Sequence, residues 1–193
     1  EGGALLLNDS KLPQRARSFR NHGISSDHHQ RSREVRWDYD MESLGFNYRL
    51  TDLQSALGLS QLKKLPQWLA RRAEIAARYD GVISDLDGVQ SLETRENVRH
   101  ANHLYVIRID SRVTGVSRDE MFVRLRQKGI GVNVHYKPVF EHSYYIKRFP
   151  GAGDECMNAI EAANEILSLP IFPSMTDDEV NIVMAQLKAS LGT

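Results

Sequence analysis

The sequence predicts a chain of α/β to α+β class whose C-terminal part is a small antiparallel sheet with helices on one face. Three observations carry that expectation. Residues 102–110 alternate, with His103, Tyr105, Ile107 and Ile109 set against Leu104, Val106 and Arg108, the period of a half-buried strand. Three helix starts are written as capping boxes: Thr51 with Gln54, Ser117 with Glu120, and Thr176 with Glu179. After Gly88 the elements read strand, strand, helix, strand, helix, helix, an order that layers helices on one small sheet.

Taken in order, the apolar run Ala4-Leu5-Leu6-Leu7 reads as a buried strand. Asn8, Asp9 and Ser10 offer caps for a short helix towards Phe19, and residues 23–40 read as an exposed polar loop. Behind Thr51, the apolar residues Ala56, Leu57, Leu59, Leu62 and Leu65 recur at helical spacing. Pro66 lacks the amide a helix interior needs, so it is expected to open a second helix running to about Asp80. Residues 81–88 read as a link. Strands are expected at 88–93, 102–110 and 131–136, and helices from Ser117 to Gly129, over 154–167 and after Thr176. Residues 169–173 are expected to be extended. The chain thus divides into residues 1–80 and residues 81–193.

Composition excludes several classes. The 193 residues are 41% hydrophobic and 26% charged, with a formal net charge of zero. A neutral chain lacks the basic footprint of a nucleic-acid binder. No apolar run approaches the roughly 20 residues that span a bilayer. Cys156 is the one cysteine, which rules out an intrachain disulfide and suits a reducing, cytoplasmic setting. It sits beside Met157 in a helical pattern and reads as packing. The chain begins with Glu1 rather than Met and reads as a fragment or a processed product.

Two stretches carry candidate chemistry. Asn47 before the capped helix suits a turn, since Asn tolerates left-handed backbone. Equally, an Asn amide, the Arg49 fork and a helix start together can hold a phosphate. His135 and Tyr136 end a strand ahead of Lys137 and Pro138, a place for a ligand-facing loop or for plain packing. His28 and His29 are adjacent in sequence, which suits a shared metal poorly, so no metal is expected. His103 shares a face with Tyr105 and reads as packed or hydrogen-bonded.

The run Gly45-Phe46-Asn47-Tyr48-Arg49-Leu50-Thr51-Asp52-Leu53-Gln54-Ser55-Ala56-Leu57-Gly58-Leu59-Ser60-Gln61-Leu62 closely resembles the signature of the DegT/DnrJ/EryC1/StrS aminotransferases. Five further stretches resemble that family in the same order. They are Glu1-Gly2-Gly3, Asn21 to Ile24, His103 to Val106, Gly129 to Pro138, and Leu167 to Pro173. The resemblance is to the C-terminal half of a fold-type I enzyme dependent on pyridoxal 5'-phosphate (PLP), comprising the end of its large domain and its small domain. It implies transfer of an amino group from an amino acid, usually glutamate, to a keto-deoxy sugar on a nucleotide carrier. Members acting on UDP-linked 4-keto-6-deoxy sugars are the most similar. A dehydratase of the same family, with histidine in place of the catalytic lysine, is the alternative, and an inert fragment is another.

The resemblance also implies roles by position. Asn47 matches a residue that reaches the cofactor phosphate of the neighbouring subunit, with Arg49 in support, so a homodimer with shared sites is implied. Asn133, His135 and Tyr136 match the segment lining the sugar-nucleotide site, and Lys137 adds a cation for a substrate phosphate. The lysine that forms the Schiff base would fall upstream of Glu1. None of Lys11, Lys63, Lys64, Lys128, Lys137, Lys147 or Lys188 matches its position.

Overall fold

Alternation between 105 and 109 does become the central strand of the molecule. A computed structural model describes residues 2–26, 28–35 and 37–192, and for residues 28–30 the backbone alone. The chain forms two compact units, Glu1–Lys63 and Lys64–Thr193. The boundary falls within one long helix, so that helix contributes to each unit.

In the second unit three antiparallel strands lie in the order β1 (Val89–Ser91), β2 (Tyr105–Ile109), β3 (Ile166–Leu169). Tyr105, Ile107 and Ile109 are buried along β2, and their register partners Leu169, Leu167 and Val89 are buried beside them. This apolar face is completed by the second half of α3 (Asp52–Ile83) and by α5 (Arg118–Gln127) and α8 (Asp177–Leu191). α3 contributes Ile75, Ala76, Tyr79 and Ile83, α5 contributes Met121 and Leu125, and α8 contributes Val180, Val183 and Leu187. The other face of β2 carries Val106 and Arg108. Arg108 grips Glu165 at 2.6 Å, at the end of α7 (Met157–Glu165). The fold class is as expected, a small antiparallel sheet with helices.

The three capping boxes form as written. Ser117 Oγ accepts from Glu120 N while Glu120 reaches back to Ser117 N. Thr176 and Glu179 do the same, as do Thr51 and Gln54. The Ser117 amide holds the Glu120 carboxyl below its ordinary range, and the Arg71 guanidinium does so for Asp177.

Elsewhere local signals were overruled. Residues 4–7 form no strand, and Leu6 is 91% exposed, because no described segment pairs with them. Residues 23–40 are not all loop: α2 (His28–Glu34) forms there, using the helix formers Gln30, Arg31, Arg33 and Glu34. α3 runs unbroken through Pro66 rather than restarting. A proline removes one interior hydrogen bond, and this helix is capped upstream and buried downstream. The 131–136 strand shrinks to one bridge, Asn133↔Ser168, since Asn133 Oδ1 takes the Val134 amide at 2.9 Å and competes with a ladder. The 154–167 helix stops at Glu165, because Ile166 and Leu167 pair with β2. The third strand therefore follows α7 instead of preceding it. Three short elements had no sequence expectation: α4 (Ser111–Thr114), a 3₁₀ turn (Val139–Glu141) and α6 (Ser143–Arg148).

Candidate functional site

The first unit positions Asn47 and Arg49 by backbone pairing. Helix α1 (Leu12–Phe19) ends in a tight turn at His22 and Gly23, both with positive φ. Residues 19–24 then pair with 41–48 through Phe46 N to Phe19 O, Tyr48 N to Arg20 O and Glu42 N to Gly23 O. The strips approach so closely that a Cβ on Gly45 would meet Gly23 N at 2.1 Å. Phe46 and Tyr48 stack at 5.1 Å, with Phe19 edge-on. Side chains two apart share a face in extended chain, so Asn47 and Arg49 take the other face.

That face fits an anion in its donor chemistry. Asn47 is exposed and bridges Asn21 through the backbone, and Arg49 Nη1 donates to Asn21 Oδ1 at 2.5 Å. The rest of the guanidinium fork and the Asn47 amide are donors of the kind a phosphate takes. The start of α3 is less available, for Thr51 already caps it and Asp52 stands in its first turn.

In the second unit, residues 133–137 leave the sheet beside β3. Asn133 exchanges both backbone hydrogen bonds with Ser168, at 3.1 and 2.8 Å. His135 Nδ1 lies 2.8 Å from Ser168 Oγ, and its Nε2 lies 3.4 Å from Asn133 Nδ2. The Tyr136 ring stands edge-on to His135 at 4.7 Å and is exposed, as is Lys137. Asn133 and His135 are thus brought together by direct contact, with Tyr136 on His135. The side chains of His28 and His29 lie outside the described residues.

The DegT/DnrJ/EryC1/StrS aminotransferase family model matches residues 1–188. The chain belongs to the DegT/DnrJ/EryC1/StrS aminotransferase family. It is 39% identical over 190 residues to the spore coat polysaccharide biosynthesis protein SpsC of Bacillus subtilis, covering 97% of the chain and 49% of SpsC. Among solved structures it is similar to Helicobacter pylori PseC, an aminotransferase involved in the biosynthesis of pseudoaminic acid. That match has a TM-score of 0.80 at 29% identity, over 96% of the chain and 47% of PseC. It is also similar to the PMP-form of Spr1654 from Streptococcus pneumoniae, with a TM-score of 0.81 at 26% identity, over 96% of the chain and 46% of that protein. Spr1654 has been solved in a PLP-form as well. The chain spans about half the length of the curated relatives it matches.

Sequence reasoning missed three residues that organise this member of the DegT/DnrJ/EryC1/StrS aminotransferase family. Ser168 and Asn21 fall in stretches that resemble the family, yet nothing local named their partners, His135 and Arg49. Arg72 carried no signal at all. Its Nη1 donates to the carbonyls of Asn102, His103 and Ile171 at 2.9–3.1 Å, and burial lowers its pKa. It lines a cleft of about 400 Å³ with Leu65, Trp68, Leu69, His103 and Pro173.

Proposed function

We propose that this chain is the C-terminal part of a PLP-dependent sugar aminotransferase. It would move an amino group, most simply from glutamate, to a nucleotide-linked keto-deoxy sugar in polysaccharide or amino-sugar biosynthesis. The observation that carries this reading is the polar group Asn133–His135–Tyr136, anchored on a buried strand of a chain belonging to the family. The domain division belongs to the same reading: residues 1–80 as the tail of a large cofactor domain with connecting helices, and 81–193 as the small domain.

Each residue has a task set by its chemistry. Asn47 and Arg49 hold the cofactor phosphate with an amide and a cationic fork, reaching across a homodimer. Asn133 and His135 take up sugar hydroxyls, the exposed Tyr136 ring covers an apolar sugar face, and Lys137 neutralises a substrate phosphate. Bound PLP supplies the electron sink of the amino transfer.

The decisive experiment uses the intact protein. Purified protein should show the visible absorbance of bound PLP and turn over a UDP-linked 4-keto-6-deoxy sugar with glutamate. Asn47→Ala should lower PLP retention on dialysis about tenfold, the order expected for losing one charged-acceptor hydrogen bond. Unchanged cofactor affinity in that variant would remove Asn47 from the site, and a colourless wild type would sink the reading as a whole.

A further inference from the structure

Apart from the tyrosines Tyr79 and Tyr105, Ser168 and Ser190 are the two buried residues with a polar side chain among the described residues. A hydroxyl out of water needs a partner. Ser190 has one in Lys128 Nζ at 3.1 Å, within the helical part of the unit. Ser168 has His135 Nδ1 at 2.8 Å. Ser168 stands opposite Val106 in the β2–β3 register, on the face away from Ile107 and Leu167. Its side chain therefore adds nothing to the apolar core and meets the loop instead.

A serine hydroxyl can donate or accept, so by itself it leaves the imidazole tautomer open. Asn133 decides it. The Val134 backbone N–H must be donated, and its acceptor at 2.9 Å is therefore the amide oxygen of Asn133. The other end of that amide, which faces His135 Nε2, is then the NH₂ group, a donor only. A protonated Nε2 would set donor against donor. The compatible neutral ring carries its proton on Nδ1, donates it to Ser168 Oγ, and keeps a lone pair on Nε2.

We propose that Ser168 is a positioning residue: with Asn133 it fixes His135 in the Nδ1–H tautomer, so that Nε2 is a hydrogen-bond acceptor for a hydroxyl of the sugar substrate. The 3.4 Å separation from Asn133 Nδ2 is long for a hydrogen bond, so a substrate O–H is the stronger partner for Nε2. The inference deepens the reading of residues 133–137 as a wall of the sugar site and rests on it.

Long-range ¹H–¹⁵N spectra of the intact protein with labelled histidine test the tautomer without substrate. The His135 signal is assigned by its loss in His135→Gln. At a pH where the ring is neutral, wild type should give Nδ1–H, and an Nε2–H form would overturn the proposal. Asn133→Asp places an acceptor against Nε2 and should switch the ring to Nε2–H. An unswitched ring would remove Asn133 from the argument and overturn it too. Kinetics with a UDP-linked 4-keto sugar give the second reading. Ser168→Ala and Ser168→Cys should raise KM for the sugar about threefold to tenfold, the value of one hydrogen bond, with kcat within about twofold. Ser168→Thr, which keeps the hydroxyl, should restore KM. Equal KM in Ala, Cys and wild type, or a loss confined to kcat, would overturn the positioning role. A wild type that binds no nucleotide sugar while showing the Nδ1–H ring would defeat the functional reading, not the account of the ring.

Discussion

The two units of the chain are stabilised in different ways. The unit Lys64–Thr193 holds every residue of the buried hydrophobic core, from Ile75 to Leu187. The unit Glu1–Lys63 buries Gly23 and no large apolar side chain among its described residues, while Leu6, Trp37 and Leu53 are each more than 80% exposed. Its order comes from close backbone pairing of 19–24 with 41–48 and from three packed rings, Phe46 and Tyr48 stacked and Phe19 edge-on. An apolar pattern makes a core only where elements exist to close over it. Where they do not, backbone hydrogen bonds and glycine set the structure.

That contrast can be broken from either side. The largest effect is expected in the core. Ile107→Ala, at a fully buried position of β2, should cost about 2–5 kcal/mol, read as a lower urea midpoint with unchanged slope. Leu53→Ala in the first unit should cost under about 0.5 kcal/mol, since its side chain is 82% exposed. Comparable losses would erase the distinction.

Next comes Gly23→Ala. Its φ of +74° disfavours a side chain, and the new Cβ would sit 1.6 Å from the Ser43 carbonyl oxygen. We expect a local loss of more than about 1 kcal/mol. Amide exchange should accelerate in 19–24 and 41–48 and stay unchanged in β2 and β3. Uniform acceleration would mean that the two units open together.

A smaller effect belongs to the helix caps. Thr176→Ala should cost about 1 kcal/mol in thermal unfolding, and Thr176→Ser should recover most of it.

The last prediction concerns alkaline pH. Burial raises the pKa of Tyr105, and its hydrogen bond to Asp80 at 2.5 Å raises it further; burial also raises that of Tyr79, which donates to the Pro170 carbonyl. Both hydroxyls keep their protons when folded and release them near pH 10 when unfolded. The unfolded chain then binds fewer protons, so the stability from these groups is full below pH 10 and falls as pH rises above it. Tyr105→Phe should flatten the drop in Tm between pH 9.5 and about 11. An unaltered slope would assign the alkaline loss to other groups.

Much of the second unit was legible in the sequence. The period of 105–109 named the buried face of β2, and the capping boxes at Ser117 and Thr176 named two helix starts there, as the box at Thr51 did in the first unit, because strand alternation and capping are short-range effects. The same short range explains the misses. Residues 4–7 have a strand's composition and no partner strand among the described residues, and the 131–136 segment lost its ladder to the side chain of its own Asn133. For the candidate site, residue chemistry and position raised Asn47, Arg49, His135, Tyr136 and Lys137, and the likeness added Asn133 and gave each a role. It was silent on Asn21, Ser168 and Arg72, whose partners lie 28, 33 and as far as 99 residues away.

By itself, then, the sequence determined the family, the polarity of β2, the helix starts and the residue types of the two candidate segments. Those properties reside in contiguous residues. Only the tertiary structure decided that α3 continues through Pro66, that β3 rather than 131–136 completes the sheet, and that Ser168 faces His135. Each of these is a competition between a local preference and a distant partner, and burial and hydrogen-bond completion settle it once the chain has closed.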